Sequence, residues 1–329
     1  MSNTQSKPAQ EPAQGKRLEK RKVKGGTSFV HRFWAQRELW IMLIPGILYY
    51  VIFHYMPMYG LRLAFMDYNF WDGYNSPMVG FANFERLFVD HYEDFIKMLQ
   101  NTLLIGALSF GTTFPLTILF SLILNEIRQP KMKKAYQTIS YLPTFLSLVI
   151  ICSIFIELFS VKYGIVNKII GWLGYDAINF MLEPWGFYLV YILSGIWASI
   201  GNGAIIYLSA LSGVDQEMYE AAQIDGCSRL KRIWYITLPA IMPTVVTMFL
   251  LNIGQLIRVG ADKSLLLRTD AIISDTYIFS TYVYDYGIAS RYPDVSYAAT
   301  VGMFESVVCA ILLITFNYIA RKRTGTSIW

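Results

Sequence analysis

Six apolar runs, at about 39–58, 98–124, 138–159, 185–211, 239–258 and 298–320, dominate what this chain can fold into. An α-helix of about 20 residues crosses the ~30 Å hydrocarbon layer of a bilayer, and each run is about that long or longer. Inside that layer every backbone N–H and C=O needs an internal partner, so the runs are expected as helices and not as open strands. Composition agrees: 54% of the residues are hydrophobic and 16% charged, where soluble domains carry about 25% charged residues. The expected fold is an all-α membrane protein with six transmembrane helices in one domain. No separate soluble catalytic domain fits into what remains.

Charge decides the orientation. Of the 28 lysines and arginines, nine lie in the N-terminal tail, four in the 125–136 loop, three in a polar island at 214–243 and three at Arg321, Lys322 and Arg323. The three loops of the other side hold three, two and three, and Arg258 stands at the end of the fifth run. The positive-inside rule then places both termini and the island in the cytoplasm, which an even number of spans requires. Residues 1–37 read as a basic cytoplasmic tail, without the apolar content to fold alone, ending in an interfacial segment with Phe29, Val30, Phe33 and Trp34 on one face. The membrane domain is expected over 38–329. A nucleic-acid role for the tail is set aside because a spanning run follows at once. Cys152, Cys227 and Cys309 have no pairing or metal-ligand spacing and read as packing residues, so no metal site is expected.

The island reads VDQEMYEAAQIDGCSRLKRIWYITLPAIMP. Asp215 is placed to cap a helix and Gly226 to stop it. Between them Met218, Ala221 and Ala222 fall on one face at i, i+3 and i+4, a patch too small to span a membrane and suited to a partner's groove. Small side chains at 221 and 222 permit close backbone approach. The chain has no Gly-x-x-x-x-Gly-Lys-Ser/Thr phosphate loop, so ATP is not expected to bind here. His31, His54 and His91 are scattered, and no nucleophile–base or paired-carboxylate arrangement suggests an enzyme.

Glu220-Ala221-Ala222, Gly226 four positions on, and Ile236-x-Leu238-Pro239 after nine more residues resemble the EAA loop of the membrane subunits of bacterial ABC importers. Asp225 and Pro243 extend the match, and the loop falls between the fourth and fifth runs, as in that family. The stretches LIPGILYYVIFHYMPMYGLRLAFMDYN, VGFANFERLF and DTYIFSTYVYDYGI and the closing SIW look like the branch of carbohydrate permeases that imports oligosaccharides and polysaccharide fragments, acidic alginate-type ones included. Cys227 in place of the usual Ala and Trp234 in place of the common Phe are small departures. The resemblance implies a type I ABC importer permease fold with a cytoplasmic coupling helix, in which Glu217, Met218, Tyr219, Glu220, Ala221, Ala222, Asp225 and Gly226 meet an ATPase. It implies a second homologous permease, two ATP-binding subunits that hold ATP and Mg, an extracytoplasmic solute-binding protein and surrounding lipid as partners. It places the chain in the bacterial inner membrane, with the 60–97 and 259–297 segments as the docking surface for the binding protein.

By the same resemblance, the cargo passes between the spans that flank the island. Trp197, Ser199, Asn202 and Tyr207 on the fourth run and Asn252 and Gln255 on the fifth offer the amides and aromatic faces a carbohydrate needs; these residue types also serve as interhelical glue. Arg258 is placed to attract an acidic cargo or to pair with Glu305, about two turns into the sixth run, and a structural pair is favoured for Glu305 over a proton relay. The alternatives are an importer of another solute, a peptide or a polyol, and an ion-coupled secondary transporter. The last would need intramembrane carboxylates or inverted repeats as its signature, and no repeat is visible.

Overall fold

A computed structural model of the chain describes residues 37–253, 256 and 259–324. The expectations on the tail up to residue 36, on the closing SIW and on Gln255 and Arg258 lie outside the described residues. Most of the described residues are helical, with one isolated antiparallel bridge, Met66 to Met78.

The chain divides into two compact units, Met1–Tyr59 and Gly60–Trp329. In the first, α1 (Arg37–Tyr50) runs on into the wider turn of Val51–Tyr55. Its large apolar side chains, such as Ile41, Met42 and Phe53, are exposed.

The second unit holds α2 (Tyr92–Asn125), α3 (Pro130–Tyr141), α4 (Leu148–Leu158), α5 (Ile165–Trp172), α6 (Pro184–Ser212), α7 (Gln216–Ile224), α8 (Arg229–Ile253), α9 (Ala261–Leu267), α10 (Phe279–Tyr284) and α11 (Val295–Thr324). Among the described residues five stretches are long and apolar enough to cross a membrane: Arg37–Phe65, Tyr92–Asn125, Pro184–Ser212, Arg229–Ile253 and Val295–Lys322.

The remaining expected span, the third at 138–159, is not a straight helix. Pro130–Phe145 meets α4 at 103°, and six spans result when this bent pair counts as one. The break has a local cause. Pro143, inside the 3₁₀ turn Leu142–Phe145, lacks an N–H and so removes one bond from the helix just before the break. Leu146 is extended at ψ 144°, and Ser147 starts a new helix by accepting the Ile150 N–H at 3.4 Å.

Three buried clusters hold the second unit. The first joins Ile105 of α2, Ile151, Cys152 and Phe155 of α4, Phe187, Val190 and Tyr191 of α6 and Leu267 of α9. The second joins Leu87, Phe95 and Met98 to Phe279, Tyr282, Tyr297 and Val301. The third, Leu122, Leu211, Val214 and Ile241, sits where the polar island leaves α6. α2 lies along α6 in the most extensive helix pair. On its other side α6 meets α3 at Gly201, where a Cβ would collide with the Ser140 carbonyl oxygen, so only glycine permits that approach.

The 60–97 and 259–297 segments are knitted together. Asn83 donates to the carbonyls of Ala64 (3.1 Å) and Met66 (2.9 Å), the Tyr68 N–H donates to Ser296 Oγ at 2.9 Å, and Arg86 pairs with Asp294 at 3.0 Å. Arg268 holds Asp285 through two bonds of 2.7 and 2.8 Å, with 11% and 18% of the two side chains exposed. Burial and the Asp285 carboxylate push the Tyr277 phenol up to about 12.

Candidate functional site

α7 forms as its ends dictate. The Asp215 carboxylate accepts the Glu217 N–H at 3.0 Å, and the helix closes at Gly226, which has φ +72°. There the Cys227 N–H donates to the Ala222 carbonyl at 2.9 Å and the Gly226 N–H to the Gln223 carbonyl at 3.1 Å, the two bonds of a Schellman turn. Tyr219 and Ala222 form the inward face. Tyr219 packs on the Leu122–Leu211–Val214–Ile241 cluster, and its hydroxyl shares a 2.9 Å hydrogen bond with Thr237 of α8, a residue only 2% exposed.

Glu217, Met218, Glu220, Ala221, Asp225 and Gly226 face outward and are exposed. The expected apolar patch is therefore divided: Met218 and Ala221 point out, whereas Ala222 is partly buried against the body of the unit. The outward apolar surface is larger than α7 alone provides, because Ile224, Leu230, Trp234 and Tyr235 are also exposed and Leu230, Lys231, Trp234 and Tyr235 line a shallow groove. The sequence signal for these residues was present in their apolar character inside a basic loop, but periodicity could not tell them from the start of a span.

A second feature is a cavity of about 370 Å³ between α2, α6, α8 and α9. Its volume is that of a small-molecule site. Of the expected path residues, Tyr207, Ser199 and Asn252 line it. Tyr207 is 3% exposed, and the Asn252 amide donates to the Met248 carbonyl at 2.7 Å while remaining exposed. Two others do not line it: the Trp197 ring packs against Phe155 at 5.8 Å, and Asn202 is exposed elsewhere. On α6, positions 199, 203 and 207 share a face at i, i+4 and i+8, and 197 and 202 fall off it.

Two contributions escaped the sequence reading. α2 lines the cavity with Ser109, Phe110, Thr113, Phe114 and Thr117, a helical-period stripe of small polar and aromatic residues that an apolar-run count passes over. Phe110 and Phe114 lie 5.1 Å apart and both lean on Phe249 of α8. α9 contributes Lys263, which stands 61 residues after Asn202 in the chain and has no motif to announce it. Its Nζ donates to the Tyr191 carbonyl and lies 4.2 Å from the centroid of the Tyr191 ring. Glu305 is on α11, and its expected partner Arg258 is outside the described residues. Among the described residues no group of three or more His, Cys, Asp or Glu side chains is placed to hold a metal.

Comparison with known proteins supplies the family. Protein LplB of Bacillus subtilis (strain 168) is 39% identical over 298 residues, covering 90% of this chain and 92% of that protein. The polygalacturonan/rhamnogalacturonan transport system permease protein YteP of the same organism is 40% identical over 288 residues, 87% and 88% of the two chains. A chain of the crystal structure described as a bacterial alginate ABC transporter in complex with alginate pentasaccharide-bound periplasmic protein matches with a TM-score of 0.82 at 34% identity, covering 91% of this chain and 99% of that one. Such permeases are transport subunits and not enzymes, and the multi-pass membrane fold is the one these helices build. Residues 117–324 match the family profile described as "Binding-protein-dependent transport system inner membrane component", and the chain belongs to that family.

Proposed function

We propose that this permease carries acidic oligosaccharides or polysaccharide fragments, of the polygalacturonate or alginate type, across the bacterial inner membrane. The observation that carries the reading is the cavity between α2, α6, α8 and α9, where the aromatic faces of Phe110, Phe114 and Tyr207 meet the amide of Asn252 and the Lys263 ammonium. Hydroxyls need donors and acceptors, and the C–H face of a pyranose needs a flat apolar surface. The names of YteP and of the alginate transporter support the acidic class. Tyr207 and Asn252 lie in the wall of the proposed path and Gln255 and Arg258 belong to it as residues of the fifth span, whereas Trp197 and Asn202 do not line the cavity.

In this proposal residues 1–37 are a cytoplasmic basic tail before the permease domain of 38–329, and both termini are cytoplasmic. The chain pairs with a second homologous permease and with two ATP-binding subunits, which hold ATP and Mg. A solute-binding protein docks on the 60–97 and 259–297 segments, a reading supported by the alginate transporter, whose structure is a complex with a periplasmic protein. The coupling surface comprises Glu217, Met218, Tyr219, Glu220, Ala221, Ala222, Asp225 and Gly226, of which Tyr219 anchors the helix through Thr237 and the outward residues meet the ATPase. Movement of that ATPase is passed to α6 and α8 through the cluster under α7.

The test is co-purification followed by reconstitution. An ATPase should copurify with the chain, and its activity in proteoliposomes should rise when binding protein and tetragalacturonate or an alginate tetrasaccharide are added together. Stimulation by a peptide or a polyol in place of both saccharides would overturn the substrate assignment.

A further inference from the structure

We propose that the Lys263 ammonium recognises the carboxylate of an acidic sugar inside the cavity, so that the permease selects its cargo by charge in addition to receiving it from a binding protein. This inference rests on the acidic-cargo reading above and names the group that enforces it.

Lys263 is the one Lys, Arg, Asp or Glu side chain among the described residues that line the cavity. An ammonium has three donors. One is taken by the Tyr191 carbonyl, while the ring of the same tyrosine lies 4.2 Å away, a cation–π contact that holds the charge when the site is empty. Among the described residues no carboxylate lies within the 4.0 Å of an ion pair with Lys263. A partly desolvated cation without a counter-charge is costly, and a carboxylate brought by the cargo offsets that cost.

Gly195 is the second observation. A Cβ at that position would come 2.9 Å from Nζ, so the missing side chain is what leaves the ammonium room at the cavity wall. The remaining wall suits the rest of a uronate ring. Phe110 and Phe114 offer faces to its C–H surface, and Tyr207 and Asn252 offer polar groups to its hydroxyls. A neutral hexose would use the second set and leave the cation unpaired. Charge selection in the membrane domain follows from that difference.

The experiment uses the complete transporter in proteoliposomes, with both permeases, the ATPase subunits and the binding protein held constant, and measures uptake of tetragalacturonate and of neutral galactotetraose. A charge-assisted hydrogen bond lost from such a site lowers binding about tenfold or more. Lys263→Gln should therefore raise KM for tetragalacturonate uptake by about that factor, whereas Lys263→Arg should keep most of the uptake. Gly195→Asp provides an independent variant: it sets a carboxylate beside Nζ, pairs the lysine internally, and should give the same loss. The only atom in its way is the end of a flexible side chain, so assembly should persist even where Lys263→Gln fails to copurify with its ATPase. If wild type takes up tetragalacturonate and the assembled variants do so equally well, Lys263 is not the selector and the acidic-cargo reading survives. If wild type takes up galactotetraose and no uronate, that reading fails and Lys263 fails with it.

Discussion

Replacing Gly226 isolates the backbone turn that ends α7. The residue sits at φ +72°, and a Cβ built there meets nothing within 4 Å. Steric collision with neighbours therefore drops out, and the cost of a side chain is that of the left-handed backbone alone. For an ordinary L residue that is about 1–2 kcal/mol, and β-branched residues fall at the upper end or above it. A shift of one to two kcal/mol changes a two-state population by about 5–30-fold. The turn holds two bonds, Cys227 N–H to Ala222 and Gly226 N–H to Gln223, so the population at stake is that of α7 closed in its present orientation. Asn tolerates this backbone region better than Ala or Val does. The expected order of saccharide-stimulated ATPase in the reconstituted complex is therefore Gly, then Asn, then Ala, then Val, with Gly226→Val lower than wild type by up to about thirtyfold. Membrane levels of the four proteins should be equal, because α7 and the turn lie outside the spans. Equal stimulation in Gly226→Val and wild type, or Gly226→Asn as impaired as Gly226→Val, would refute the reasoning.

Other outcomes follow from the same geometry. Asn252→Ala should reduce saccharide uptake while the complex still assembles, and Trp197→Phe should leave uptake nearly unchanged, because Asn252 lines the cavity and Trp197 packs on Phe155 instead; transport assays in which the two variants behave alike would count against that placement. Gly201→Leu should prevent folding, as its side chain would be driven into the Ser140 backbone, and a normally expressed, monodisperse Gly201→Leu protein would remove the close approach of α3 and α6. Arg268→Gln leaves Asp285 largely buried and unpaired, which costs about 3 kcal/mol. It should lower the Tm of the detergent-solubilised protein, and the double replacement Arg268→Gln with Asp285→Asn should recover part of the loss.

The features legible in the residues were those that depend on local chain chemistry. The α7 boundaries followed from Asp215 and Gly226, since a capping carboxylate and a left-handed glycine act within one or two turns. The span from Pro184 to Ser212 was found to within a residue, because a long apolar run between a proline and a polar loop has only one solution in a bilayer. The third span was legible as apolar and not as bent. Hydropathy weighs side chains, whereas the 103° turn at Leu146 and Ser147 is a matter of the Pro143 backbone and of which hydroxyl caps α4.

By itself, then, the sequence determined that the chain is a multi-helix membrane protein, which loop carries a capped helix between the fourth and fifth spans and which family it resembles, because length, apolarity and motif spacing are properties of the chain alone. Only the tertiary structure decided which polar residues face one another. It set Tyr207 and Asn252 beside the α2 stripe and excluded Trp197 and Asn202. It also brought Lys263 of α9 over Tyr191 of α6, 72 residues away in sequence. A cavity is formed by the rotation and crossing of several helices, and no single helix carries that information in its own period.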